Sequence, residues 1–468
     1  MHAIPTATSP RMIQADRPEA TAMDTFQTLL SRFREGTALI GVIGLGYVGL
    51  PLAHTLHKGG FRVLGFDIDP AKMEALAKGE NYLKHLGAEL TTDLSKSDRF
   101  EATTDFSRLG EVDAIIICVP TPLGKHQEPD MSYVLNSARD IGRTLRKGQL
   151  IILESTTYPG TTRDDMLPAM LAARPAGAPA LEHGVDYFVA FSPEREDPGR
   201  KTHTTRTTPK LVGGLEPRAT ELAAALYERG IDRVVRVSTA EVAEAAKILE
   251  NTFRAVNIAL VNELKLVLTP MGIDVWEVIE AASTKPFGYM PFWPGPGLGG
   301  HCIPIDPFYL TWKAREVGQY TRFIELAGEI NTRMPHYVAD RVGHALNDDG
   351  KAVRGARVLV VGLAYKPNVD DVRETPAAEI IDLLSDVGAV VEYHDPLVPK
   401  FPHMRRHRRD MTSVDLSPGA LAAYDCVVIV TNHDCVDFRA IATHARLVVD
   451  TRNALKGLHG LGARIVKA

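Results

Sequence analysis

Ala38-Leu-Ile-Gly-Val-Ile43 leads into Gly44-Leu-Gly-Tyr-Val-Gly49, a helical stretch through Lys58, and then Phe61-Arg-Val-Leu-Gly-Phe66, closed by Asp67. A short β-branched run, a glycine turn and a helix in this order form the context of a dinucleotide fingerprint. Gly44, Gly46 and Gly49 permit the tight turn, and with Tyr47 and Val48 they let a pyrophosphate approach the helix N-terminus. Asp67 is placed to hold a ribose diol, and its charge repels a 2′-phosphate, so NAD is favoured over NADP. A Gly-rich turn in a non-binding α/β domain is the bland alternative. The strand, motif, helix and acid together argue against it.

Outward from this turn the alternation continues. Ala114 to Val119, Gln149 to Leu153 and Tyr187 to Phe191 are near-continuous apolar strands between helical stretches, the pattern of a parallel sheet covered on both faces. Residues 36–215 are therefore expected to form one α/β domain, after a flexible tail over 1–35. The tail has no apolar h-region, and Met12 or Met23 could serve as its start. From Thr239 to Thr269 the chain has neither Gly nor Pro, and Leu249, Phe253, Val256, Leu260 and Leu264 recur at helical spacing, which predicts a buried stripe. Strand signals restart at Arg357-Val-Leu-Val-Val361, Val390 to Tyr393, Cys426 to Val430 and Arg446 to Asp450. The expected fold is α/β: two Rossmann-like doubly wound domains, with a helical connector and subunit-interface segment over 216–345 and a second domain over 346–468.

A length of 468 residues suits about three domains. With 45% hydrophobic and 24% charged residues, the composition is that of an ordinary globular protein. A net charge of -5 disfavours broad adhesion to nucleic acid or anionic membrane. No apolar run approaches the ~20 residues that a bilayer requires, and a cytoplasmic protein is expected. The basic run Met404-Arg-Arg-His-Arg-Arg409 is expected to be a solvated loop. Four scattered cysteines suit neither a disulfide framework nor a metal site. The question is whether one is a working thiol. Cys118 and Cys426 fall in apolar strands and Cys435 in a polar loop, which favours packing or surface roles.

Cys302 differs. It lies in Gly295-Pro-Gly-Leu-Gly-Gly-His-Cys-Ile-Pro-Ile-Asp306, just ahead of Pro304, so its thiol is expected to face a helix N-terminus that stabilises thiolate. A buried structural cysteine is the alternative. Asp306 falls in the same first turn. His301 could assist thiolate formation or point away. Lys247 and Asn251 share one helix face at i, i+4 spacing. Alone they suit a solvated pair; beside a nucleophile they could donate hydrogen bonds to an oxyanion.

Taken in order, Gly-Tyr-Val-Gly49, Val119-Pro-Thr-Pro122, Glu154-Ser-Thr156, Ser192-Pro-Glu194, Lys247 to Asn251, Gly-Gly-His-Cys302, Gly362-Leu-Ala-Tyr-Lys366 and Asp371-Val-Arg-Glu374 resemble the UDP-sugar 6-dehydrogenases from residue 36 onward. The resemblance implies oxidation of a C6 alcohol to a carboxylate with two NAD in sequence. A thiolate adding to the intermediate aldehyde supplies the tetrahedral adduct needed for the second hydride transfer and leaves a thioester for water. It implies Cys302 as nucleophile, Lys247 and Asn251 on the oxyanion, and Asp306 positioning water or taking a proton. Glu194 matches the acid/base of the hydrolytic step, Thr121 a partner of the catalytic water and neighbour of the cofactor, and Arg373 a contact to NAD phosphates. Gly299, Tyr365, Lys366 and, on a looser match, Arg452 fall where the family meets substrate, as do Glu194, Lys247 and Asn251. The second domain keeps only Gly362 of the fingerprint and is expected to bind UDP. Ile305 where UDP-glucose enzymes carry lysine, Pro198 in place of a second glutamate, and Met290 to Gly297 resemble the UDP-N-acetylhexosamine branch. The substrate expected is UDP-N-acetylglucosamine, with UDP-N-acetylmannosamine or UDP-glucose as alternatives and a nucleotide-sugar-binding regulator as the non-enzymatic one. The product would serve surface polysaccharide synthesis. The resemblance also implies a homodimer.

Overall fold

Apolar runs that can be buried on both faces become the inner strands of two sheets. The computed structural model describes residues 24–83, 87–124, 128–195, 204–300, 303–404, 406–458 and 460–468. Its first sheet comprises β1 (Leu39–Ile43), β2 (Arg62–Phe66), β3 (Phe100–Thr103), β4 (Ala114–Ile117), β5 (Gln149–Leu153), β6 (Tyr187–Phe191), β7 (Lys210–Gly214) and β8 (Val234–Arg236). The order is β3-β2-β1-β4-β5-β6-β7-β8. Strands β1 to β6 pair in parallel, whereas β7 runs antiparallel to β6 and carries β8 beside it. The sheet is thus mixed rather than all parallel, and it extends to Arg236, past the expected boundary at 215. Helix Pro217–Tyr227 between the last two strands buries its face in the same core.

The expected tail also ends sooner. Asp24 caps helix Thr25–Glu35 by accepting from the Gln27 N–H at 2.8 Å, and Gly36 closes it at φ 76°. Leu29, Leu30 and Phe33 project from one face into the core shared with helix Pro217–Tyr227, which anchors a segment that is polar on its other sides.

Thr239 caps the long helix Ala240–Leu268. Helix Arg322–Asp348 lies against it, and the Asn331 amide donates to Ala255 O while accepting from Asn262. The face turned to the protein carries small and polar residues, namely Ala243, Lys247, Asn251, Ala255, Ala259, Asn262 and Lys265. The stripe predicted to be buried points the other way: Leu249 is 68%, Leu260 50% and Phe253 47% exposed. Helical spacing identified one face correctly but not what covers it.

The second sheet has β9 (Arg357–Val361), β10 (Val390–His394), β11 (Cys426–Ile429), β12 (Leu447–Asp450) and β13 (Arg464–Lys467) in the order β10-β9-β11-β12-β13, all parallel. Among the described residues no helix is long and apolar enough to cross a membrane. The basic run is partly neutralised, since His407 and Arg409 both pair with Asp382 on helix Pro376–Asp386.

Candidate active site

The turn after β1 is built around contacts that only glycine allows. Gly44 sits at φ 90°, and a Cβ there would lie 2.5 Å from Cys118 O. A Cβ at Gly49 would lie 1.8 Å from Gly44 O. Around Gly46 there is nothing within 4 Å, so the turn opens to solvent at that point. Helix Gly49–Lys58 starts beside it with no side-chain cap, leaving its first N–H groups for an anion. Asp67 Oδ2 accepts from the Leu45 N–H at 2.8 Å and from Lys72 Nζ at 2.7 Å. An open cradle, an uncapped helix start and an acid at the strand end suit the pyrophosphate and ribose of NAD.

The C-terminal domain reaches this turn. The Arg373 guanidinium lies 4.4 Å from the Tyr47 ring centroid and is paired with Asp371. The Gly300 N–H donates to Arg373 O at 2.9 Å, and a Cβ at Gly299 would lie 2.5 Å from that of Tyr365. The Gly-rich loop therefore packs directly on the segment carrying Tyr365, Lys366 and Arg373. Arg452 Nε donates to Val430 O at 2.8 Å, and burial lowers its pKa to about 10 against the pull of Asp450. Its guanidinium occupies the space a side chain at Gly295 would need.

Where that loop ends, four of the expected residues meet. Asn251 Nδ2 donates to Asp306 Oδ2 at 2.6 Å, and Lys247, one turn earlier on the long helix, donates to Glu194 O. Asp306 opens helix Asp306–Ala314 and is almost wholly buried. Burial pushes its carboxyl up to about 7, against the opposing charge of Lys247 and the bond from Asn251. It can thus exchange a proton near neutrality. Thr121 is buried in the loop after β4, where its carbonyl accepts from the Tyr309 hydroxyl of the same helix. Cys302 and His301 lie outside the described residues, as does Pro198; the described chain resumes at Ile303, just ahead of Asp306. Two other thiols are poor nucleophiles by placement: burial raises Cys118 well above its usual range and Cys426 to about 12.

Models of three successive domains of one family match the chain: the NAD-binding domain of the UDP-glucose/GDP-mannose dehydrogenases over 38–231, the central domain over 241–333 and the UDP-binding domain over 359–457. The chain belongs to the UDP-glucose/GDP-mannose dehydrogenase family. It is an NAD-dependent nucleotide-sugar oxidoreductase. The UDP-N-acetyl-D-glucosamine 6-dehydrogenase of Pseudomonas aeruginosa is 36% identical over 84% of this chain and 90% of its own. A UDP-N-acetyl-D-mannosamine dehydrogenase of Salmonella typhi is 35% identical over 88% and 98%. The solved UDP-D-ManNAc dehydrogenase of Pyrococcus horikoshii superposes with a TM-score of 0.80 at 32% identity, covering 92% of this chain and 99% of that one.

Within this dehydrogenase, sequence reasoning passed over Lys210, Tyr227 and Tyr309, and saw Glu154 only as part of a motif. Lys210 Nζ lies buried, 3.0 Å from Glu154 Oε2 and 3.4 Å from Glu194 Oε2, and the Tyr227 hydroxyl donates to Glu154. A lysine opening the apolar run Leu211-Val-Gly-Gly214 was the available signal, because a buried charge requires a partner.

Proposed function

We propose that the chain catalyses the four-electron oxidation of the C6 alcohol of UDP-N-acetylglucosamine to a uronate, with Cys302 as nucleophile. The observation that carries the proposal is the 2.6 Å bond between Asn251 and Asp306, with Lys247 one turn away and Asp306 close after Cys302 in the sequence. Bound NAD accepts the hydrides. Lys247 and Asn251 hold the C6 oxygen as charge develops on it, and Asp306 takes a proton from water or thiol. Between the two oxidations the Cys302 thiolate adds to the aldehyde, and after the second the resulting thioester is cleaved by water with Glu194 as acid/base. Thr121 orients that water. Gly44, Gly46, Tyr47, Val48, Gly49 and Asp67 hold the cofactor from one side and Arg373 from the other. Gly299, Tyr365, Lys366 and Arg452 line the substrate's path.

The N-acetylglucosamine assignment is supported by Ile305 in place of the lysine of UDP-glucose enzymes, and by the name of the P. aeruginosa relative. The S. typhi and P. horikoshii relatives support UDP-N-acetylmannosamine as the second reading. Incubating the protein with NAD and each UDP-sugar tests the choice. The highest kcat/KM should fall to UDP-N-acetylglucosamine, and a preference for another sugar overturns it. Replacing Cys302 with Ser should abolish uronate formation. The product would be a donor for surface polysaccharide. A working thiol suits the reducing cytoplasm.

The exposed stripe Leu249, Phe253, Leu260, Leu264 supports a homodimer about the long helix. Phe253→Arg with Leu260→Arg should halve the mass measured by light scattering, and an unchanged mass would place any interface elsewhere.

A further inference from the structure

We infer that Lys210 is a positioning residue for Glu194, holding its carboxylate charged and aimed from within the sheet. The inference rests on the oxidation proposed above. Lys210 begins the antiparallel strand β7, and that reversal brings its side chain under the C-terminal ends of β5 and β6, where parallel sheets place their ligands. Two lysines from separate elements therefore grip Glu194. Lys247 of the long helix takes its main-chain carbonyl, and Lys210 takes its carboxylate at 3.4 Å.

The remaining neighbours keep Lys210 charged and still. Glu154, wholly buried after β5, receives Lys210 at 3.0 Å on one oxygen and the Tyr227 hydroxyl on the other. The Tyr227 ring lies 5.1 Å from the same ammonium. Burial works against the lysine's charge, but Glu154 and Glu194 outweigh it and hold Lys210 up at about 12. Cys118, which floors the glycine turn, also faces this cluster, and burial keeps it a thiol. Arg195, next in the chain, is engaged by Glu250 and Pro209 O.

The chemistry requires such a device. In the hydrolytic step water attacks the thioester carbonyl, the C–S bond breaks with the thiolate leaving, and a proton of the water passes to Glu194. Glu194 must therefore be ionised although a second carboxyl, Glu154, whose pKa burial raises, stands on the far side of the lysine. An opposite charge within ~4–6 Å lowers a carboxyl pKa by about 1–3 units. Without Lys210 the two glutamates face each other, and one retains its proton to higher pH.

The test uses Lys210→Met and, because the single change strands Glu154, the double variant Lys210→Met with Glu154→Gln. Wild-type enzyme is first assayed with NAD and UDP-N-acetylglucosamine, UDP-N-acetylmannosamine and UDP-glucose. No NADH with any of them sinks the proposed function itself, independently of Lys210. Given turnover, Lys210→Met should move the acid limb of the kcat profile upward by about 1 unit or more, and the double variant, which also lacks the facing Glu154, upward by less. Both oxidations precede hydrolysis, so the NADH burst should survive while a sugar acyl group accumulates on the protein by intact mass. Lys210→Arg should bring the limb back toward wild type. An unmoved limb with no acyl accumulation in a folded variant overturns the inference, as does an arginine variant no better than methionine.

Discussion

In the N-terminal domain Gly44 follows β1 at φ 90°, and its N–H donates to Phe66 O at 2.7 Å; in the C-terminal domain Gly362 follows β9 at φ 90°, and its N–H donates to His394 O at 2.8 Å. Each turn is then tied to an aspartate at the end of the neighbouring strand, Leu45 N–H to Asp67 at 2.8 Å and Leu363 N–H to Asp395 at 2.7 Å. Beyond that the two diverge. Asp67, though buried, shares its carboxylate with the partly exposed Lys72. Asp395 is sealed inside, taking His433 at 3.1 Å and the N–H groups of Ala364, Leu397 and Val398. The helix that follows the β1 turn, Gly49–Lys58, starts at once and uncapped; the one that follows the β9 turn waits until Pro376 and is capped by Thr375 Oγ1 at 3.2 Å. One scaffold becomes a dinucleotide site by leaving its donors open. The other spends the same donors on its own side chains and keeps a long loop, Leu363 to Glu374, for the partner domain.

The largest effect expected from this contrast is on stability. Asp395→Ala strands several buried donors and should cost on the order of 4 kcal/mol, read in denaturant unfolding, whereas Asp67→Ala should chiefly raise the KM for NAD. Equal stability losses at the two aspartates would erase the distinction. Next, Gly46→Val fills the open cradle without meeting protein, so kcat/KM for NAD should drop about 10²-fold at unchanged Tm. Gly362→Ala, whose Cβ would lie 2.4 Å from Thr431 O, should do the reverse.

Third, two buried carboxyls should respond to pH with opposite sign. Burial opposes the charge of Asp395, but His433 and its hydrogen bonds outweigh it and hold the group below its usual range. Its contribution is complete above the ordinary carboxylate range and is lost as pH falls. Asp306, near 7 in the fold against 3.8 for the free group, favours the protonated form, so stability declines as pH rises between those values. Asp306→Asn should therefore raise Tm by several degrees above neutrality while removing turnover. A Tm that falls at pH 8 contradicts the buried-acid assignment. Smallest is Thr375→Ala, at about 1 kcal/mol for a lost cap with the KM for NAD untouched.

Much of this was legible in the residues. Gly44, Gly46, Gly49 and Asp67 carried the first turn because a glycine turn between strand and helix has a narrow set of uses, and Asn251 and Asp306 do meet. What was not legible depends on partners distant in sequence. Whether Leu249 and Phe253 are covered depends on a surface outside the helix. The antiparallel β7 was missed because Lys210 interrupts its apolar pattern, and that lysine makes sense only beside Glu154 and Glu194. The tail boundary was misjudged because Leu29, Leu30 and Phe33 are few among polar neighbours, yet they find a ready core.

The division of labour between an open cofactor turn, a closed nucleotide domain and the Asn251–Asp306 pair, with the function proposed above, predicts that one active site oxidises the same carbon twice. The direct measurement is the yield of NADH from limiting UDP-N-acetylglucosamine with excess NAD. Two NADH and one uronate per sugar are predicted; one NADH per sugar, with the aldehyde released, would contradict the account.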